Sequence, residues 1–207
     1  LSIFFMLFQI KSYLKFLWNS KNEHAVHSPF VFNLLTKCFY DRKPKSEYAL
    51  LKKYRNELIQ NKNTIEVTNF GVGSGGLKSN KRAVAQIVKT TAINPKRAEL
   101  LFRIVRYFQP DNILEIGTSL GLATYALALG NPKAKITTLE GCPNTMAIAK
   151  SQLQVLNSNN VIPTVTEFGE YLQSKNLKSE IYNLIYLDGN HQKQATLEYF
   201  ELLLPTI

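Results

Sequence analysis

The residues of this chain that can do chemistry stand beside glycines at four places: Glu115-Ile-Gly117, Glu140-Gly141, Glu167-Phe-Gly169 and Asp188-Gly189. A carboxylate can accept hydrogen bonds from ligand hydroxyls or meet a cation, and a neighbouring glycine lets a ligand approach the main chain. The richest stretch is Asn112 to Thr124, which reads Asn-Ile-Leu-Glu-Ile-Gly-Thr-Ser-Leu-Gly-Leu-Ala-Thr. Ile113, Leu114 and Ile116 form an apolar run suited to a strand buried on both faces. Gly117 opens a tight turn, and the alanine- and leucine-rich helix behind it aims its free N–H groups back at that turn. This is a corner for a nucleotide-type ligand.

Residue types narrow the ligand. A dinucleotide corner wants Gly-x-Gly-x-x-Gly, so that the backbone can reach a pyrophosphate. Here Ser119 puts a side chain where that approach is needed, and Glu115 adds negative charge beside a phosphate dianion. No Gly-Lys-Ser/Thr loop for nucleoside triphosphates is present either. S-adenosylmethionine, with an ammonium and a sulfonium but no phosphate, fits better. Glu115 can receive the ammonium directly or through water, while Gly117, Thr118, Ser119, Gly121 and their amides face the methionyl end. Glu140 closes the strand Lys135–Leu139 and stands 23 positions after Gly117, where an acid accepts both ribose hydroxyls. Gly169 borders the adenine. Any one of these acids could equally be a solvated helix cap; their recurrence at successive strand ends carries the reading.

Asn112 to Thr124, Glu140-Gly-Cys-Pro and Tyr186-Leu-Asp-Gly-Asn-His191 resemble the successive motifs of class I S-adenosylmethionine-dependent methyltransferases. The Glu-Ile-Gly-Thr-Ser-Leu-Gly form is similar to the O-methyltransferase branch that includes catechol and caffeoyl-CoA enzymes, and Asp-Gly-Asn-His resembles the Asp-Gly-Asp-His of a related bacterial group. The resemblance covers residues 95–204. It implies that Glu115, Gly117 and Gly121 form the cofactor loop, that Glu140 holds the ribose and that Asp188 is a site acid. In the metal-dependent members of that branch an Asp at this position binds a divalent cation, so Asp188 is the expected ligand if a metal is used. The acceptor implied is a small-molecule hydroxyl. RNA methylation, and a non-catalytic or membrane-associated protein that keeps the fold, stand as alternatives. His191 lies one turn beyond Asp188 and can act as general base, its ordinary pKa being near ~6.5; shaping the cofactor pocket is its other role.

The elements that must position these residues alternate from Asp111 onward. Strands are expected at 112–116, 135–139, 161–166 and 181–187, and helices at 120–129, 143–156, 169–175 and 191–204. Breaks fall at Gly130-Asn-Pro132, Asn157–Asn160 and Asp188-Gly-Asn190. Strands joined by helical crossovers call for an α/β fold, a Rossmann-like doubly wound parallel sheet. Its C-terminal strands are expected to be missing, because the chain ends after a helix and a proline. The expected organisation is a cofactor-binding domain over 95–207 and a mostly helical extension over 1–94. That extension supplies an acceptor pocket, a lid or a dimer contact.

In the extension, Ile3, Leu7, Ile10, Leu14 and Leu17 recur at helical spacing over 1–18. The apolar run is far shorter than the ~20 residues of a membrane span. Packing on protein, including a second copy, and rest on a membrane surface are its two readings. Ser28-Pro29 starts a second helix, Ser46–Gln60 forms a third, and Asn80–Thr90 and Pro95–Phe108 are read as helical. His24 and His27 stand three apart without a third metal ligand nearby. Gly71-Val-Gly-Ser-Gly-Gly76 is richer in glycine than the corner, but its strand carries Thr68 and Asn69 where an acid is needed, so a surface loop is expected.

The totals set bounds. With 207 residues, 45% apolar and 19% charged, the chain is a folded protein with a sizeable core. Its net charge of +10 is scattered with no basic run of five, which disfavours a nucleic-acid footprint. Cys38 and Cys142 match no metal or redox spacing, and a reducing, cytoplasmic setting is expected.

Overall fold

The computed structural model describes residues 3–20, 23–68, 80–174 and 180–207. Contacts gather the chain into two compact units, Leu1–Arg42 and Lys43–Ile207. The first holds α1 (Ile3–Asn19), a 3-10 turn at Glu23–Ala25, and α2 (Pro29–Leu34), which widens into a π turn at Leu35–Phe39. Ser28 caps α2 as its type predicts, its hydroxyl accepting from the Val31 amide at 3.4 Å. Among the described residues no helix is long and apolar enough to cross a membrane.

The second unit opens with α3 (Ser46–Gln60), an antiparallel ribbon of β1 (Thr64–Glu66) and β2 (Lys81–Ala83), then α4 (Val84–Thr90) and α5 (Pro95–Phe108). The alternation follows: β3 (Asn112–Ile116), α6 (Leu122–Gly130), β4 (Lys135–Glu140), α7 (Pro143–Val155), β5 (Val161–Val165), α8 (Phe168–Gln173), β6 (Leu184–Leu187) and α9 (Lys193–Leu203). The four later strands form one parallel sheet in the order β5-β4-β3-β6. The doubly wound sheet expected from the alternation is therefore present, and all its carboxyl ends lie along one edge.

The period of two along β3 divides the core. Ile113 joins Tyr54, Leu58, Ile87, Phe102, Val105 and Leu127 in a cluster built from α3, α4, α5 and α6. Leu114 and Ile116 join Leu139, Leu172, Tyr199 and Leu203 on the other face. The stretch 43–94, grouped by sequence with the extension, thus shares its core with the sheet.

Several element boundaries differ from expectation by one or two residues, and two larger differences have a physical cause. Residues 81–83, read as the start of a helix, pair in register with β1, Thr64 opposite Ala83 and Glu66 opposite Lys81. No breaker separates them from the helix that follows, so only the distant partner strand reveals them. The last strand starts at Leu184 and not at Ile181, because the Tyr182 amide donates to the Thr206 carbonyl at 2.7 Å instead of entering the sheet. The Gly71–Gly76 loop lies outside the described residues.

Candidate active site

The turn after β3 is held by the edge of the sheet. The amides of Gly117 and Thr118 both donate to the Leu139 carbonyl, at 2.9 and 3.0 Å. The Ser119 amide donates to Glu140 Oε2 at 2.7 Å, and that of Gly121 to the Thr118 carbonyl at 2.8 Å. Sequence reasoning expected these amides to face a ligand; they are already engaged within the protein. A turn whose donors are bonded inward is a poor cradle for phosphate, which binds through free N–H groups.

Backbone angles explain the residue types. Gly117 sits at φ +105°, and a Cβ there would fall 2.6 Å from the Asp188 carbonyl oxygen. Only glycine lets the ends of β3 and β6 meet this closely. Gly121, at φ +78°, precedes the first turn of α6, and a Cβ would press on the Tyr54 hydroxyl at 2.8 Å. Ser119 holds a left-handed conformation at φ +49°, uncommon for a residue with a side chain. Thr118 is buried, its hydroxyl paired with that of Thr138.

The acids occupy different environments. Glu115 is fully buried on the α6 face of the sheet, where its Oε2 accepts from Thr124 and Thr138 hydroxyls at 2.5 and 2.6 Å. Its Oε1 is buried with no partner among the described residues. Burial pushes its pKa up to about 7 against the downward pull of the two threonine hydroxyls; the nearby negative charges of Asp188 and Glu140 add to the rise. Glu140 sits half-buried at the end of β4, one oxygen on the Ser119 amide and the other accepting from Cys142 N at 2.9 Å. Gly169 lies in the first turn of α8, where a Cβ would meet nothing closer than Glu167 Oε1 at 3.9 Å.

Asp188 follows β6 and accepts from the Tyr186 hydroxyl at 3.2 Å. Burial raises its pKa, while Tyr186 and the positive charges of His191 and Arg97 lower it. The structure thus gathers Glu115, Gly117, Thr118, Ser119, Gly121, Glu140 and Asp188 at one edge, with exposed His191 acting electrostatically on Asp188. Among the described residues no three potential metal ligands come together.

Three side chains gained no role from the sequence. Tyr54, fully buried on α3, donates to the Leu120 carbonyl at 2.5 Å and stacks edge-on against Tyr125, which fixes the turn from below. Tyr186 and Asp188 are two apart in the strand, a spacing that puts both on one face. Arg97, in the first turn of α5, acts on both of them. Only the second of these left a local signal in the sequence.

Residues 114–207 match the profile of a family described as a methyltransferase domain. A comparison with curated proteins finds no match. Among solved structures, the O-methyltransferase of Bacillus cereus in complex with SAH is similar at 22% identity, over 86% of this chain and 67% of that one, with a TM-score of 0.55. The SAH-bound methyltransferase of Podospora anserina gives 17% identity over 91% and 68%, with a TM-score of 0.58. The tomaymycin-synthesis O-methyltransferase of Streptomyces achromogenes, in complex with SAM, gives 19% over 83% and 65%, with a TM-score of 0.55. The chain therefore spans about two thirds of the length of these structures. The resemblance to class I methyltransferases read from the motifs holds, and the Rossmann-like methyltransferase fold with it.

Proposed function

We propose that this chain transfers the methyl group of S-adenosylmethionine to a hydroxyl of a small molecule. The observation that carries the proposal is the chemistry of the corner: the turn amides of Gly117, Thr118, Ser119 and Gly121 are all bonded inward, and acids surround the turn. Such a corner disfavours phosphate and suits a ligand bearing positive charge. One further feature fits the cofactor: the buried Glu115 Oε1 has no partner among the described residues.

When bound, the cofactor supplies a methyl group already activated by its sulfonium. In this reading Glu140, fixed by the Ser119 and Cys142 amides, keeps acceptor capacity for ribose hydroxyls. Glu115 gives negative charge beneath the turn, and Gly169 lines the adenine side. His191 takes the proton from the acceptor hydroxyl, and its charge acts on the nearby Asp188 carboxylate. Tyr186 fixes the Asp188 carboxylate by its hydrogen bond. Asp188 is also the residue that would receive a divalent cation. The protein's contribution is alignment and exclusion of water.

Calorimetric titration with S-adenosylmethionine tests the proposal, followed by transfer of labelled methyl to hydroxylated acceptors. Glu140→Ala is expected to weaken cofactor binding at least tenfold, the order of one lost charged hydrogen-bond pair; unchanged affinity would remove the ribose assignment. Salt-sensitive retention of RNA would favour the nucleic-acid alternative.

A separate observation supports contact with an anionic membrane surface. In α1, Met6, Ile10, Leu14 and Leu17 are about half exposed or more, Trp18 is 90% exposed, and the charged residues are Lys11 and Lys15. Flotation with anionic vesicles that persists after deletion of residues 1–18 would sink this reading; dimer dissociation on that deletion would favour a second copy instead.

A further inference from the structure

Printed in the bonds between α3 and α5 is an antiparallel pair tied at both ends. At one end Arg106 pairs with Glu47 at 2.8 Å, and Arg103 donates to the Tyr48 hydroxyl at 3.1 Å. At the other, the Arg55 guanidinium donates to the carbonyls of Ile93 and Val88 at 2.9 and 3.1 Å. Between these ties lies a cavity of about 460 Å³. That volume suits a small ligand.

Its walls are apolar where Leu51, Ile59, Ala98 and Leu122 line it. The Tyr48 ring also lines it, fixed by its bond from Arg103 and by an edge contact with Phe102 at 5.7 Å between centroids. Lys52 lies one turn beyond Tyr48 on α3, and Glu99 one turn before Arg103 on α5. Residues four apart share a helix face, so the Tyr48–Arg103 contact sets Lys52 and Glu99 opposite one another, and both line the cavity. Neither makes an ion pair or hydrogen bond among the described residues. Opposite charges that share a cavity without meeting leave room for a ligand that carries both. None of the strand-end acids lines this space; it adjoins the cofactor corner only through Leu122, the first residue of α6.

We propose that the cavity between α3 and α5 is a second small-molecule site, which takes an apolar α-amino acid or a similar zwitterion. Lys52 receives the carboxylate, Glu99 receives the ammonium, and the apolar body lies against Leu51, Ile59 and the Tyr48 ring. A ligand with a single charge leaves the opposite group unmet, so the pair selects for a zwitterion. Arg55 and Tyr48 are already held by their bonds to the protein, and binding therefore orders little of the wall.

The test is titration of the full chain, followed by amide NMR, with L-phenylalanine, with 3-phenylpropionate, which lacks the ammonium, and with phenethylamine, which lacks the carboxylate. L-Phenylalanine is expected to shift the amides of Lys52, Glu99 and Leu122 saturably and to bind about threefold or more tightly than either analogue, the order of one partly exposed ion pair. Lys52→Ala is expected to weaken L-phenylalanine and 3-phenylpropionate by a similar factor without weakening phenethylamine, and Glu99→Gln to do the reverse with the two analogues. Ala49 lines the cavity from its exposed side, so Ala49→Trp fills it and is expected to abolish binding of all three. Shifts absent from the lining, shifts that persist in Ala49→Trp, no preference for the zwitterion, or a Lys52→Ala loss equal for all three ligands would each overturn the inference. The titration needs no cofactor, and its outcome is separate from that of the S-adenosylmethionine reading.

Discussion

Glu115 is the residue at which ionisation and folding are most tightly bound together. Its carboxyl is fully buried and its pKa is raised to about 7 from an ordinary value of 4.5, chiefly by burial. The folded chain therefore holds this proton more firmly than the unfolded chain does. Its contribution to stability is greatest below the unfolded pKa, declines as pH rises through the interval up to the folded pKa, and is constant above it. Over that interval the loss amounts to about 3 kcal/mol. Glu115→Gln keeps an acceptor for Thr124 and Thr138 but cannot ionise. The variant is expected to match the wild type near pH 4.5 and to exceed it at pH 8, as read by urea unfolding at each pH. A wild-type stability that does not fall between these pH values would show that the acid is not buried as described. The same substitution should weaken a cationic ligand, so stability and affinity move in opposite directions at one position.

At the scale of elements, α3 is part of the site although it lies far from it in sequence. The Tyr54 hydroxyl bonds the Leu120 carbonyl across 66 residues, and its ring meets Tyr125 of α6 at 5.4 Å. Tyr54→Phe leaves that buried carbonyl without a donor and is expected to lower stability by about 1–2 kcal/mol. Faster amide exchange at Gly121 and Leu122, with weaker binding of S-adenosylhomocysteine, would show that the loss reaches the turn; exchange unchanged there would confine Tyr54 to core packing. This long contact marks the limit of what the chain reveals on its own. From Asn112 onward the apolar runs, glycine breaks and strand-end acids are local signals, and the strands and helices follow them closely. Where a strand depends on a partner far along the chain, as Lys81–Ala83 does on Thr64–Glu66, the local pattern misleads. The turn residues were legible by type, yet the direction of their amides was not. That direction depends on Leu139 and Glu140, which the sheet register brings alongside.

For the whole molecule, charge is unevenly disposed. The chain carries a net +10, yet the carboxyl edge of its parallel sheet gathers Glu115, Glu140 and Asp188. A cofactor with an ammonium, a sulfonium and one carboxylate is a net cation, so at long range it is repelled by the protein and at short range drawn in. At physiological ionic strength the screening length is about 8 Å, and the nearer charges govern the last steps of encounter. The association rate constant of S-adenosylmethionine, measured by stopped flow, is therefore expected to fall as salt rises from about 0.05 to 0.5 M. A rate that climbs with salt would mean that the distant basic surface dominates. The neutralised product feels a smaller pull than the cofactor, since loss of the methyl group removes the sulfonium charge. The acidic edge thus gives the reaction cycle a direction: capture is assisted by charge, and the chemistry itself loosens what it has used.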